Sequence, residues 1–213
     1  MSGDTQTPTT PTTPGAAVPR VVLVGPPGAG KSTVGHALGE VLRCAVVDSD
    51  TLLERDNAMS CGELFTMLGE PEFRRREEIY VAKALDSDGV VSLGGGSVLS
   101  PATRRLLTQH TVVYLRVSAE EGTRRTAHLA TRPVLAAADG EDPSERYREI
   151  LTQREGLYQE VATHIVDADG RTPRHTVAEV LALIGVHGDH DTHHDTHTAD
   201  DGSGNHPGRE AQL

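Results

Sequence analysis

The sequence predicts an α/β domain in which a parallel β-sheet is covered by helices on both faces. Short apolar runs recur along the chain, and each run is continuous rather than alternating, which is typical of strands buried on both faces. The segments between the runs are long enough for the helical crossovers that parallel neighbours require. The runs are Val21–Val24, Ala45–Val47, Val90–Leu93, Val112–Val117 and Ile165–Val166.

Chain length and local composition predict one folded domain between two tails. The chain has 213 residues, of which 36% are hydrophobic, and this size suits a single domain. Residues 1–19 are dominated by Thr and Pro, and residues 187–213 are rich in His and Asp. Neither segment has an apolar period, so we expect both to be disordered. The folded domain is therefore predicted for residues 20–186.

Charge and hydropathy exclude several classes of partner. The net charge of -11 argues against a protein that binds nucleic acid or an anionic membrane. No apolar stretch approaches 18 residues, and the N-terminus has no apolar signal region. Cys44 and Cys61 do not form a CxxC pair and are expected to be free thiols. These features predict a cytoplasmic protein that binds neither nucleic acid nor a membrane.

A phosphate-binding loop follows the first apolar run. Residues 25–33 have the sequence GPPGAGKST, which matches GxxxxGK[ST], and a helical pattern covers Val34–Leu42. Glycines let backbone N–H groups point at phosphate oxygens, while Lys31 reaches the β- and γ-phosphates and Ser32 offers a hydroxyl to Mg²⁺. The loop predicts binding of a nucleoside triphosphate at Gly28, Ala29, Gly30, Lys31, Ser32 and Thr33.

Two acids follow the second apolar run. Asp48 and Asp50 come directly after Ala45–Val47, where the ligands of parallel sheets gather. Because one residue, Ser49, separates the two acids, their carboxylates face different neighbours. One would face Mg²⁺ through water and the other an acceptor hydroxyl. The alternative is an ordinary strand-end turn capped by Asp.

One arginine falls where an apolar residue is expected. Glu145–Ala162 has a helical period, and Arg154 lies on its apolar stripe. A guanidinium on an inward face needs an anion. A protein carboxylate or an anionic ligand held by the forked donor would satisfy it.

A second cluster of arginines has the sequence EFRRREE over residues 72–78. It is either a solvated charged helix face or a face with one arginine directed at the site. Periodicity does not show which arginine, if any, faces the site.

Two further segments suit contact with a ligand. Gly94, Gly95 and Gly96 follow Val90–Leu93, and three glycines are entropically costly unless something approaches the backbone closely. A flexible turn is the alternative. Arg132 lies in a loop-like stretch rich in Ala, Gly, Asp and Pro, which suits a lid that closes over phosphate or an ordinary surface loop.

Taken together and in this order, the motifs resemble the shikimate kinase family across about residues 20–185. Two details differ from the family pattern: Val134 and Leu135 follow Arg132-Pro133 where Leu-Leu is commoner, and residues 127–130 lack a common Gly. These departures bear on the motion of the lid rather than on the reaction. The shared features are GPPGAGKST, the pair Asp48 and Asp50, EFRR over 72–75, LGGG over 93–96, Arg132-Pro133, and Arg154 within QREGLY.

The resemblance implies the fold of the P-loop nucleoside monophosphate kinases, with five parallel strands in the order 2-3-1-4-5. Substrate-binding helices would lie at about 51–80 and the lid at about 123–142. Lys31 would bind phosphates, and Ser32 would bind Mg²⁺ with Asp48 supporting the metal through water. Asp50 would hold the substrate's ring hydroxyls and is the candidate base. On the substrate side, Arg74 and Arg154 would bind the shikimate carboxylate, the Gly95 N–H would donate to the substrate, and Phe65 and Phe73 would wall the pocket. On the nucleotide side, Arg132 would contact ATP phosphate. Arg171 is the first candidate for the contact with adenine, and Arg125 is the second.

The resemblance also implies the reaction, which is ATP-dependent phosphorylation of the 3-hydroxyl of shikimate on the route to aromatic amino acids. Mg²⁺ would be the cofactor, and we expect a monomer that binds neither nucleic acid nor membrane. A gluconate-type kinase is the first alternative, although the glycine triplet and EFRR favour shikimate. A GTP-driven metal chaperone with a His-rich tail is the second, but no Asn-Lys-x-Asp motif is present.

Overall fold

A five-stranded parallel sheet forms the centre of the molecule. The computed structural model of the chain describes residues 18–127 and 142–186. The strand order is β2-β3-β1-β4-β5, and every neighbouring pair is parallel, as predicted. Val22 of the first strand is in register with Val91 on one side and Val112 on the other. The strands are β1 (Val21–Val24), β2 (Val46–Asp48), β3 (Val90–Ser92), β4 (Val112–Arg116) and β5 (His164–Asp167).

Eight α-helices surround the sheet within the described residues, together with a short 3-10 helix at Ser97–Leu99. Residues 1–17, 128–141 and 187–213 lie outside the description, so the predictions of disordered tails and a lid remain predictions. No helix of the described ranges is both long and apolar enough to cross a membrane. The helices are α1 (Lys31–Leu42), α2 (Ser49–Asn57), α3 (Cys61–Leu68), α4 (Glu70–Leu85), α5 (Pro101–Leu107), α6 (Ala119–Thr126), α7 (Pro143–Val161) and α8 (Pro173–Leu183).

Alternate side chains of β1 enter two separate apolar layers. Val21 and Leu23 pack in one cluster with residues of α1 and α8. Val22 and Val24 pack in a second cluster with residues of α4, α5 and α7. All four residues of β1 are buried, which confirms that the continuous apolar run marks a strand covered on both faces.

A third apolar cluster joins α2, α3 and α4. It consists of Leu53, Leu64 and Phe73, with Phe65 and other half-buried residues packed against it. Local capping fixes the helix starts, because Asp48 caps α2 and a capping box between Ser60 and Glu63 begins α3. These helices hold the candidate substrate residues beside the carboxyl end of the sheet.

Candidate active site

Most of the predicted site residues meet in one cavity of about 570 Å³. It opens where β1, β2 and β3 end, which is the expected place for a ligand in a parallel sheet. Ala29 and Arg171 line a second cavity of about 400 Å³ beside it, and Arg132 lies outside the described residues. The predicted residues that line the larger cavity are Gly28, Gly30, Lys31, Ser32, Thr33, Asp48, Asp50, Arg74, Gly95 and Arg154.

The phosphate loop is held open by backbone geometry and by its own lysine. Gly28 and Gly30 have φ values of 78° and 89°, which side-chain-bearing residues rarely adopt. Helix α1 begins at Lys31, earlier than the predicted Val34, so its N-terminus points at the loop. The Lys31 Nζ donates to the carbonyl oxygens of Gly25 at 2.8 Å and Pro26 at 3.0 Å. The loop therefore presents a cation and N–H groups together, as phosphate binding requires.

Asp48 links the second strand to the phosphate loop. Its Oδ2 accepts hydrogen bonds from Ser32 Oγ at 3.1 Å and from Ser92 Oγ at 2.9 Å. Its Oδ1 accepts from the backbone N–H of Asp50 at 3.0 Å, as the cap of α2. The cap that the sequence offered as the alternative is therefore present at Asp48, and the same carboxylate also contacts the phosphate loop. Sequence reasoning missed Ser92, although a lone polar residue inside an apolar run was a signal.

The hydroxyl of Ser32 and the carboxylate of Asp48 fit a magnesium ion. Both are hard oxygen ligands of the kind Mg²⁺ prefers. Within residues 18–127 and 142–186, no group of three or more His, Cys, Asp or Glu side chains could hold a metal by itself. Such a sparse protein contribution suits an ion that takes its remaining ligands from phosphate oxygens and water.

Of the three consecutive arginines in α4, Arg74 is the one that faces the cavity. Its side chain is 15% exposed, against 70% for Arg75. The Arg74 Nη1 donates to Glu77 Oε2 at 2.7 Å, and its guanidinium lies 5.5 Å from the centre of the Phe73 ring. The sequence could not select among the three, because only the packing of α4 against the sheet decides which points inward.

Arg154 is buried without a carboxylate partner among the described residues. It is 5% exposed, and its Nη1 donates a long hydrogen bond of 3.3 Å to the carbonyl of Gly95. Its guanidinium also interacts with the Tyr158 hydroxyl, and its charge opposes the rise in the pKa of the Glu77 carboxyl. The buried Nε atoms of Arg74 and Arg154 make no hydrogen bond within the described ranges. A buried guanidinium in this state is costly until an anion arrives. The arrangement therefore favours the anionic-ligand interpretation of Arg154 over a structural ion pair.

The glycine triplet is needed for the close approach of functional side chains. A Cβ on Gly94 would collide with the carboxylate of Asp50, and a Cβ on Gly96 would collide with the guanidinium of Arg74. On Gly95 it would lie 3.1 Å from Cδ of Pro27 in the phosphate loop. We expected a ligand to approach this backbone, and the structure shows that the side chains of Asp50 and Arg74 approach it.

Glu77 is a site residue that the sequence did not single out. It lines the cavity and is buried, and burial raises the pKa of its carboxyl while the neighbouring Arg74 opposes that shift. Its only sequence signal was its position three residues after Arg74 in a charged run, which is the spacing of neighbours on a helix face. Glu77 fixes the direction of the Arg74 fork.

The smaller cavity lies between the phosphate loop and the start of α8. Arg125 lines both cavities and donates to the carbonyl oxygens of Ala168 at 2.7 Å and Gly28 at 3.3 Å. Arg171 lines only the smaller of the two cavities, and its guanidinium pairs with Glu179. Both residues thus lie on the expected nucleotide side, and Arg125 reaches closer to the phosphate loop.

Comparisons with known proteins show which family the chain resembles. A family model described as shikimate kinase matches residues 27–185. The shikimate kinase of Corynebacterium efficiens is 54% identical over 165 residues, which cover 78% of this chain and 96% of the relative. That of Mycobacterium bovis is 47% identical over 169 residues, covering 79% of this chain and 94% of the relative.

Solved structures give the same result for the fold. A shikimate kinase from Acinetobacter baumannii in complex with shikimate has a TM-score of 0.74 and 34% identity, and covers 79% of this chain and 94% of its own. A gluconokinase from Sinorhizobium meliloti has a TM-score of 0.53 and 23% identity, and covers 79% of this chain and 91% of its own. At this identity, the likeness shows only a shared fold. On the family match and the identity to these relatives, the chain belongs to the shikimate kinase family.

Proposed function

We propose that this enzyme transfers the γ-phosphoryl group of ATP to the 3-hydroxyl of shikimate and releases 3-phosphoshikimate and ADP. One observation carries the proposal. Asp50 and the two guanidinium groups of Arg74 and Arg154 surround the glycine triplet, in the same cavity as the phosphate loop. An acidic polyol has the hydroxyls and the carboxylate that these three groups would bind.

The nucleotide would bind with its phosphates on the loop at residues 25–33 and its base in the smaller cavity. Backbone N–H groups and Lys31 would hold the β- and γ-phosphates, since phosphoryl transfer depends on positioning and charge neutralisation more than on covalent chemistry. Arg171 and Arg125 would lie on the adenine side. Arg132 is proposed to reach ATP phosphate from the segment between α6 and α7.

Ser32 and Asp48 would hold the magnesium ion, Ser32 directly and Asp48 through water. When bound, Mg²⁺ would neutralise the negative charge that develops on the phosphate groups during transfer. The two residues are already in hydrogen-bond contact at 3.1 Å, so the protein has little to rearrange when it receives the ion.

Asp50 would orient the acceptor. It lies in the first turn of α2, and its carboxylate approaches Gly94 so closely that no side chain fits there. From this position the carboxylate would accept hydrogen bonds from ring hydroxyls, and it is the candidate base for the 3-hydroxyl proton. The hydroxyl oxygen then attacks the γ-phosphorus, and ADP leaves.

Arg74 and Arg154 would grip the carboxylate of shikimate. Paired forked donors fix a planar carboxylate in orientation as well as in place. The Gly95 N–H would donate to the substrate, and the Phe65 and Phe73 rings would wall the pocket, with centres 5.4 Å apart and planes at 67°. A site with buried donors for a carboxylate discriminates strongly against analogues without one, because the donors are left unpaired.

A coupled ADP-release assay tests the assignment against its closest alternative. Shikimate, gluconate, nucleoside monophosphates and a blank without acceptor are compared at equal ATP and Mg²⁺. Shikimate should be the preferred acceptor by a wide margin, and Arg154→Ala should lose that preference while the surface variant Arg75→Ala keeps it. ADP release at the full rate without shikimate, or with gluconate, would contradict the proposal.

We also propose that the enzyme acts as a monomer in the cytoplasm. The proposal is supported by the two cavities, which residues of one chain line. Light scattering coupled to size-exclusion chromatography tests the monomer, and activity that tracks a larger species would contradict it.

A further inference from the structure

We propose that the hydroxyls of Tyr147 and Tyr158 are positioning groups, through which α7 fixes the phosphate loop at Pro27 and the glycine turn at Gly95. The inference rests on the proposed function for its shikimate readout, whereas its nucleotide readout requires only ATP binding. Neither tyrosine would touch a substrate. Each would act through the backbone carbonyl that it holds, and Tyr158 would also act through the side chain of Arg154, with which its hydroxyl interacts.

Tyr147 reaches the phosphate loop from outside it. Its hydroxyl donates to the carbonyl oxygen of Pro27 at 2.6 Å, and the residue is 2% exposed. The neighbouring loop carbonyls accept from cations, namely Lys31 at Gly25 and Pro26 and Arg125 at Gly28. Both cations line the larger cavity and would also face the anionic nucleotide. Tyr147 is uncharged, so its hydrogen bond does not compete with phosphate and holds the loop before and after ATP binds.

The ring of Tyr147, a residue of α7, packs closely against α6. A Cβ on Gly122 of α6 would collide with the ring and its hydroxyl, so this close contact requires glycine there. The phenol is thus wedged between α6 and the phosphate loop. Because its surroundings allow little movement, the position of Pro27 is coupled to the start of α7.

Tyr158 makes the equivalent contact with the glycine turn. Its hydroxyl donates to the carbonyl oxygen of Gly95 at 2.5 Å, and the side chain is fully buried. Arg154 Nη1 lies 3.3 Å from the same oxygen. Because the tyrosine supplies the shorter hydrogen bond, the carbonyl stays satisfied when Arg154 turns to an anion. The turn would then keep its shape during substrate binding.

One rigid element carries both contacts. Tyr147 and Tyr158 are 11 residues apart on α7, close to three helical turns, so they lie on the same face about 16 Å apart along the axis. Burial raises the pKa of both phenols, which keeps them protonated as donors. Helix α7 therefore spans the distance between the nucleotide loop and the acceptor turn and sets their separation.

Tyrosine-to-phenylalanine variants test the inference, because phenylalanine keeps the ring and removes only the hydroxyl. Tyr114 provides the matched control. It is fully buried and stacks on Tyr158 with ring centres 5.0 Å apart, but its hydroxyl has no hydrogen-bond partner in the described ranges. Steady-state kinetics are measured for Tyr147→Phe, Tyr158→Phe and Tyr114→Phe well below the unfolding midpoint of each, together with binding of a fluorescent ATP analogue.

We expect each of the two variants to change the kinetic parameters of a different substrate. Tyr147→Phe should raise the ATP KM and the Kd of the ATP analogue by roughly fivefold, with the shikimate KM within about twofold, as for one lost hydrogen bond. Tyr158→Phe should raise the shikimate KM by a similar factor, with ATP values within about twofold. Tyr114→Phe should leave all parameters within about twofold.

Other outcomes overturn the inference. If both variants only lower the unfolding midpoint and keep every KM, the hydroxyls are structural. If Tyr147→Phe and Tyr158→Phe each change the ATP and the shikimate parameters by similar factors, α7 does not position the two loops separately. A wild-type enzyme that binds ATP without phosphorylating shikimate would refute the proposed function instead, and the analogue Kd of Tyr147→Phe would still test the role of Tyr147.

Discussion

Asp48 accepts a hydrogen bond from Ser32 at 3.1 Å, and this contact ties the end of β2 to the first turn of α1. Ser92 donates to the same carboxylate oxygen from β3, so Asp48 is held from both sides. A carboxylate fixed in this way is preorganised, since no reorganisation is needed when charge develops nearby. The contact joins the two ligands that we propose for magnesium.

Asp48→Asn should therefore weaken the use of magnesium. The amide keeps the shape but removes the negative charge, so kcat should fall about tenfold or more at fixed Mg²⁺ and the half-saturating Mg²⁺ concentration should rise. A Mg²⁺ titration of the initial rate measures both. Ser92→Ala keeps the charge and should have the smaller effect; an equal effect would mean that orientation, not charge, matters.

Asp50→Asn should reduce kcat by about 10²-fold or more, the range expected when acid–base catalysis is lost. The acceptor would still be oriented by an amide but would lose its base. Single-turnover rates across pH separate the two roles, because a positioning group leaves the pH profile unchanged. Asp56→Asn, on the same helix and paired with exposed Arg55, is the control and should stay within about twofold.

Arg154→Ala should raise the shikimate KM by at least about tenfold and leave the ATP KM nearly unchanged. The guanidinium is buried and unpaired by any carboxylate of the described residues, so its loss removes a charge-assisted bond to the substrate. Arg75→Ala, on the exposed face of α4, should change neither value. Weak ATP binding with normal shikimate binding in Arg154→Ala would refute the carboxylate role.

Gly96→Ala should impair shikimate binding without unfolding the protein. The added Cβ meets the flexible end of Arg74, which can swing aside, and the φ of -97° accepts alanine. Displacement of the guanidinium should raise the shikimate KM by about tenfold, while the unfolding midpoint changes little. Gly156→Ala on the exposed face of α7 meets nothing within 4 Å and should add about 0.5–1 kcal/mol of stability with normal kinetics.

The strands and the phosphate loop could be predicted from the sequence because their signals are local. Continuous apolar runs located the ends of all five strands to within one residue, and GxxxxGK[ST] fixed the loop at residues 25–33. The strand order came from the family resemblance and not from the runs themselves. The sheet order 2-3-1-4-5 is confirmed.

The remaining site features depend on tertiary contacts and had weak local signals. Which of three adjacent arginines faces inward is decided by the packing of α4, and this packing also places Glu77 in the cavity, where it pairs with Arg74. Tyr147 and Tyr158 fell on an apolar stripe and were indistinguishable from core residues. Only the fold shows that their hydroxyls end at two backbone carbonyls.

The tyrosine placement also gives the enzyme an intrinsic optical probe of its site. The chain has no Trp and four Tyr, so its near-ultraviolet absorption and circular dichroism arise chiefly from phenol rings. Three of those rings, Tyr114, Tyr147 and Tyr158, are buried, and two of them stack at 5.0 Å behind the glycine turn. The fourth, Tyr80, lies on α4. Ligand-induced changes in that spectral region therefore report on α7 and its neighbours, with no label attached.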